Sequence, residues 1–232
     1  MKNVHELTSI LVKIFSQDTI PYRHFARPIL MDGLKGFFKF QEVEMPFPLH
    51  DPTTPNTLIL KAGEIELNGR LNFIERMIFE DRKITVAIKA DTSTAEQILS
   101  LFIGKVNELT GETNFSLKNV LLNTYETTSV AELDINYEKF FNEHSLDFIK
   151  TNAESYLKLK IANITPVKFT MEVLFEQNPK LMYEDRLSYA PKNITIEPRI
   201  GTTPKEKMFF IATPCNSENH LKFVKQLEKV LR

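Results

Sequence analysis

The chain contains no tryptophan, one cysteine and seven glycines among 232 residues. A single thiol, Cys215, cannot close an internal disulfide, so packing and hydrogen bonds must hold the fold. Scarce glycine argues against phosphate-cradling loops and glycine-punctuated repeats. Charge of one sign is missing too, because 29 Lys and Arg oppose 30 Asp and Glu. Nucleic-acid affinity rests on phosphate neutralisation, so a balanced chain needs a local basic patch to bind it. No apolar run approaches a membrane span, and Met1–Glu6 lacks the core of a signal peptide. The expectation is therefore a cytoplasmic protein, in which the sequons at Asn114, Asn163 and Asn193 are chance matches.

What is present is ordinary globular composition, 42% hydrophobic and 25% charged, with 18 phenylalanines. Leu7, Ile10, Leu11 and Ile14 predict a helix over Val4 to Phe15. Phe37, Phe38 and Phe40 suggest a strand, and four prolines make Met45 to Asn56 an exposed loop. Leu58 to Leu67 reads as a strand that turns at Asn68-Gly69, where both residues tolerate positive φ. The return strand is expected to share Leu71, Phe73, Met77 and Phe79 on one face, and Ile84 to Ala90 completes a meander. Ser93-Thr94-Ala95-Glu96 matches a capping box ahead of Ile98, Leu99, Phe102, Val106 and Leu109, with Gly111 as the stop.

The second half repeats this grammar. Strands are expected from Asn119 to Tyr125 and from Val130 to Tyr137, then a helix to about Asn152. Leu157, Leu159 and Ile161 alternate, as do residues from Val167 to Phe175, before a turn at Asn178-Pro179. Pro198 cannot donate to a ladder, which points to a sheet edge for Ile194 to Ile200. Met208 to Thr213 is the last strand. Asn216 or Ser217 caps a final helix with Leu221, Val224, Leu227 and Leu231 inward and Lys222, Lys225 and Lys229 outward. The predicted class is α+β, one or more antiparallel sheets packed against amphipathic helices. If the chain divides into two similar halves, 1–112 and 113–232, the seam is the polar stretch Thr110 to Lys118; a single domain is the alternative, and the two strand–cap–helix endings are read as a common way for antiparallel sheets to finish rather than as a duplication.

Motifs that carry chemistry are few. Val86-Ala87-Ile88-Lys89 spells the lysine strand of protein kinases, but no glycine-rich loop or catalytic aspartate motif accompanies it. Lys35-Gly36-Phe37-Phe38-Lys39-Phe40 begins like an RNA-recognition strand and then departs from it. With Arg23, His24 and Arg27, its Lys35 and Lys39 form a candidate patch for an anion or partner. Cys215 at the start of the final helix, with His220 one turn on, is the one nucleophile-and-base pair that can be constructed. The five histidines show no zinc-type spacing, and Glu64 with Glu66, two apart on a strand, is better explained by a solvated face than by a metal. No cofactor is implied. Three functions follow: a non-enzymatic interaction or assembly subunit with a protein or homo-oligomeric partner, a binder of a small apolar ligand, and an enzyme using Cys215.

Overall fold

The computed structural model describes residues 3–45, 57–158, 160, 167–173, 192–202 and 206–232. Nine strands form one antiparallel sheet. They are β1 Val4–Phe15, β2 Glu42–Glu44, β3 Leu58–Leu67, β4 Arg70–Phe79, β5 Lys83–Ile88, β6 Val120–Glu132, β7 Phe169–Val173, β8 Lys192–Pro198 and β9 Met208–Thr213. Their order across the sheet is β2-β3-β4-β5-β1-β6-β9-β8-β7, so β1 and β6 lie at its centre. Four helices are α1 Pro28–Phe38, α2 Thr92–Thr110, α3 Glu143–Leu157 and α4 Ser217–Leu231. None of the described helices is long and apolar enough to cross a membrane. The predicted α+β class, a sheet packed against helices, is what the chain adopts.

The first element corrects the sequence reading, because Val4–Phe15 is a strand and not a helix. Its inward residues are Ser9, Leu11, Lys13 and Phe15, all buried. Two of those four are polar, which hides the period of two, while β-branched Val4, Thr8, Ile10, Val12 and Ile14 favour the extended chain. The opposite correction applies to the phenylalanine run. Pro28 starts α1, whose Leu30, Leu34 and Phe38 are buried at four-residue spacing, and Lys39 ends it in the left-handed region. Phe40 follows outside the helix and is buried as well.

The hairpin at Asn68-Gly69 forms as expected, with φ of 51° and 72°. Two irregularities shift the meander: Ala62 of β3 has φ 52°, and the β4–β5 register slips between Ile74 and Arg76. Ile74, Met77 and Phe79 therefore face the core, whereas Phe73 turns to the other side, where Lys89 lies 5.4 Å from its ring centroid. The cap of α2 is Asp91, whose Oδ1 accepts from the Thr94 amide at 2.8 Å, and Gly111 closes the helix at φ 75°. The predicted box residue Glu96 instead binds Lys13.

Beyond the centre, the two strands expected between Asn119 and Tyr137 are one continuous β6, paired with β1 from Val120 to Ala131. Leu157 belongs to α3, so the expected alternation at Leu157 does not begin there; Leu159, Ile161, Phe175 and Asn178-Pro179 lie outside the described residues, as does the loop from Pro46 to Asn56. β8 is not an edge, since β7 and β9 flank it. Pro198 is tolerated because Arg199, one residue on, donates to the Met208 carbonyl. The proline nitrogen therefore points the other way, past Phe169, where β7 begins.

Buried side chains form two clusters, both on the face that carries α1, α2 and α4. The larger centres on Phe25, Phe38, Phe79 and Phe102, and the smaller on Tyr137, Ile196, Phe209 and Val224. Phe79 and Phe102 stack at 4.6 Å. At Gly63 a Cβ would lie 2.5 Å from the Phe40 ring and 3.1 Å from the Phe38 carbonyl. Gly63→Ala is expected to cost about 1–3 kcal/mol in urea denaturation, because ring and backbone must both move.

Candidate functional site

The two halves meet where α2 and α4 begin. Ser9 and Thr127 are direct partners across the β1–β6 pair. Ser9 Oγ donates to the Ala90 carbonyl at 2.7 Å, and Thr127 Oγ1 donates to the Cys215 carbonyl at 2.8 Å. The amide of Thr92 donates to Ser217 Oγ at 2.9 Å, and the amide of Ser217 donates to Thr92 Oγ1 at 3.2 Å. Each helix thus satisfies a first-turn amide of the other. This reciprocity defines a local two-fold relation in which Thr92 matches Ser217, Ala95 matches His220, Leu99 matches Val224 and Val106 matches Leu231. All eight side chains are buried.

The same relation shows what is special about the second half. On β1, β5 and α2 of the first half, Leu11, Ile88 and Ala95 are wholly buried and apolar. Their counterparts are Ser129, Thr213 and His220, buried as completely but hydrogen-bonded. His220 Nε2 lies 2.7 Å from Ser129 Oγ and Nδ1 lies 2.8 Å from Thr213 Oγ1. Burial pushes the His220 imidazole down to about 4, so it is neutral at pH 7. Polar exchange runs the other way at Lys13, whose Nζ lies 2.8 Å from the Glu96 carboxylate and 2.9 Å from Asn123 Oδ1. Tyr125 donates to the same carboxylate, and burial and that bond raise the phenol above its ordinary range. Ala131 holds the corresponding place on β6.

Cys215 is half-buried and Thr213 separates it from His220, since Thr213 Oγ1 lies 2.9 Å from Cys215 Sγ. The cap of α4 is Asn216, which accepts from the Asn219 amide at 2.9 Å, so Cys215 sits before the cap. Neither the helix N-terminus nor a direct imidazole contact is therefore offered to the sulfur. Cys215 and His220 each contact Thr213 Oγ1, which stands between them. Ser129 and Thr213, which complete the cluster, were not legible; polar residues in the middle of apolar strands are the signal that could have found them.

The basic patch is divided by the fold. Arg23 and His24 line a cleft of about 720 Å³ with Arg82, Asp18, Asp81 and Glu112, and His24 Nε2 lies 3.6 Å from Glu112. Arg27, Lys35 and Lys39 are exposed along α1, outside it. At the corresponding end of the second half is a cleft of about 820 Å³ lined by Ile135, Tyr137, Pro198, Ile200, Met208 and Phe209 among others. Burial pushes the Tyr137 hydroxyl up to about 12, and it donates to the Ile196 carbonyl at 2.8 Å. Among the described residues no group of His, Cys, Asp and Glu is placed to hold a metal.

The opposite face of the sheet is built differently. Ile10, Val12 and Ile14 of β1 point there, with Ile59 of β3, Ile78 of β4, Leu122 of β6 and Phe210 of β9. All seven are half-buried, and none joins either core. No family model matches the chain, and no curated protein matches it.

Two predictions follow from the polar cluster. His220→Ala strands two buried hydroxyls and should cost about 2–4 kcal/mol in chemical denaturation, whereas adding Ser129→Leu and Thr213→Ile, the first-half residues, should recover most of that loss. For pH, the folded imidazole titrates near 4 and the unfolded one near 6.5. Its contribution is full above pH 6.5 and lost as pH falls toward 4, because the unfolded chain binds the proton first. The loss amounts to about 3 kcal/mol, and His220→Gln should flatten that limb of a stability–pH curve.

Proposed function

We propose that the chain is a non-enzymatic interaction or assembly subunit that docks a protein partner on the face of its sheet turned away from α1, α2 and α4. One observation carries this reading. Seven apolar side chains on that face, from Ile10 and Val12 to Phe210, pack into neither core, while α1, α2 and α4 all lie on the other side. A two-layer α/β protein that worked alone would favour polar residues there, because an antiparallel sheet can face water with an alternating pattern. Apolar side chains on a sheet face can mark interaction sites in soluble proteins, and here all seven are half-buried among Thr85, Thr124 and Glu126. Catalysis gains no comparable support, since His220 is wholly enclosed and meets Cys215 only through a threonine.

A second reading, binding of a small apolar compound, is favoured by the cleft of about 820 Å³ beside Met208 and Phe209, whose size falls in the usual ligand range.

The test separates surface from core. Ile10→Thr, Val12→Thr and Leu122→Thr keep strand propensity and remove apolar area. Measured by urea denaturation at submicromolar protein, each should change stability by less than about 1 kcal/mol, against about 3 kcal/mol or more for Leu11→Thr on the other face. Losses of core size at the first three positions would mean that the chain covers this face itself, and the reading would fall. The cysteine-enzyme alternative predicts rapid alkylation of Cys215 at neutral pH that His220→Ala abolishes. The geometry instead leads us to expect the rate of an ordinary thiol, independent of His220, in a mass-spectrometric time course.

A further inference from the structure

We infer that Asn68-Gly69, the turn between β3 and β4, is a modification site where the chain deamidates without an enzyme, turning a neutral carboxamide into a carboxylate. Asparagine or aspartate precedes glycine or serine at three places, Asp32-Gly33, Asn68-Gly69 and Asn216-Ser217. A small following residue leaves its backbone nitrogen accessible to the side-chain carbonyl carbon before it, which is what ring closure needs. The fold shuts two of the three. Gly33 lies inside α1, where its amide belongs to the helical ladder, and a Cβ there would stand 2.8 Å from Leu109. The Ser217 amide donates to Thr92 Oγ1 at 3.2 Å, and the Asn216 carboxamide accepts from the Asn219 amide at 2.9 Å.

At Asn68-Gly69 both residues are exposed, with φ of 51° and 72°, and a Cβ on Gly69 would meet nothing within 4 Å. Leu67 and Arg70 end the ladder on either side, and among the described residues no hydrogen bond holds the Gly69 amide or the Asn68 carboxamide. Only the tip must open for the Gly69 nitrogen to reach Asn68 Cγ, and exposed loop tips open at little cost. The nitrogen gives its proton to hydroxide and bonds to Cγ; the Cγ–Nδ2 bond breaks, and ammonia leaves with a proton from water. One water then opens the cyclic imide. Entry at Cγ gives aspartate, whereas entry at the main-chain carbonyl carbon gives isoaspartate, whose backbone runs through Cβ and Cγ. Either product adds a negative charge to a cleft of about 470 Å³ at the start of α2, where Arg70 and Asp91 are the charged lining residues and balance. Aspartate tolerates the left-handed turn much as asparagine does. Isoaspartate lengthens a two-residue turn by one atom, so Leu67 and Arg70 lose their register.

The experiment ages the full chain at neutral and mildly alkaline pH, folded and unfolded in urea, and follows its tryptic peptides by mass spectrometry. The peptide from Ala62 to Arg70 should gain about 1 Da as –NH2 becomes –OH, faster at the higher pH. Folding should slow this gain by less than about threefold, while slowing the same reaction at Asn216 by about tenfold or more. Chromatography should resolve the product into aspartate and isoaspartate forms. A folded chain in which Asn68 is as protected as Asn216 would overturn the proposal, since the turn would then be locked. Aspartate without isoaspartate would exclude the imide and overturn it too. Asn68→Asp should elute with the aged aspartate form on anion exchange and acidify no further; acidification that continues in this variant would place the reaction elsewhere and sink the assignment.

Discussion

The pairing of β1 with β6 is the constraint on which the molecule depends. It runs from Val4 to Phe15 against Val120 to Ala131, and through it one sheet spans both halves. Its midpoint at Ser9 and Thr127 is also where the two helix starts are fixed. Each hydroxyl holds the carbonyl two residues before a helix, and the helices then exchange amide donors through Thr92 and Ser217. Hydroxyls are required here because a methyl-bearing residue of similar size would leave buried backbone groups without partners. The positive ends of two helix dipoles converge at this point, and Asp91 supplies the nearby carboxylate that offsets them on one side, with neutral Asn216 on the other.

From that junction the halves diverge by exchanging polar and apolar groups at matched places. The first half accepts a buried lysine under Glu96 and keeps hydrocarbon where the second places Ser129, Thr213 and His220. Each solution is internally satisfied. Mixing them is not, since His220 without its hydroxyls, or Lys13 without its carboxylate, leaves a buried group unpaired. The same divergence separates the two clefts at the outer ends, one lined by His24, Arg82 and acids, the other by Tyr137, Met208 and Phe209.

How much of this was legible follows from where polar groups sit. The meander from Leu58 to Ile88, α2 and α4 were readable as elements because most of their buried positions are apolar and regularly spaced, although the slip in β4 and the buried Ser217 and His220 of α4 were not. The central strands were not. Ser9 and Lys13 broke the alternation of β1 so that a helical stripe seemed the better fit, and Glu126 to Ser129 looked like a gap between two strands. A sequence displays which residues are polar but not which partners meet them across more than 80 positions, as Lys13 meets Glu96. For the same reason Cys215 and His220 could be named together while the threonine between them could not.

The central placement of β1 also bears on how the chain reaches its fold. Both neighbours of this strand are made after it, β5 some 70 residues on and β6 later still. Until they arrive its Ile10, Val12 and Ile14 have no ladder on either side, and the loops to be closed are long. The helix-facing cluster of phenylalanines draws on β1, Phe25, α1, β3 to β5, α2 and Phe115, all of which precede β6 in the chain, and until β6 is made the β1 edge that it pairs has no partner in the sheet. That edge is the template on which β6 must nucleate, and it is equally open to the β1 edge of another nascent chain. The long register of β1 with β6, from Val4 to Phe15, is what closes that edge within one chain.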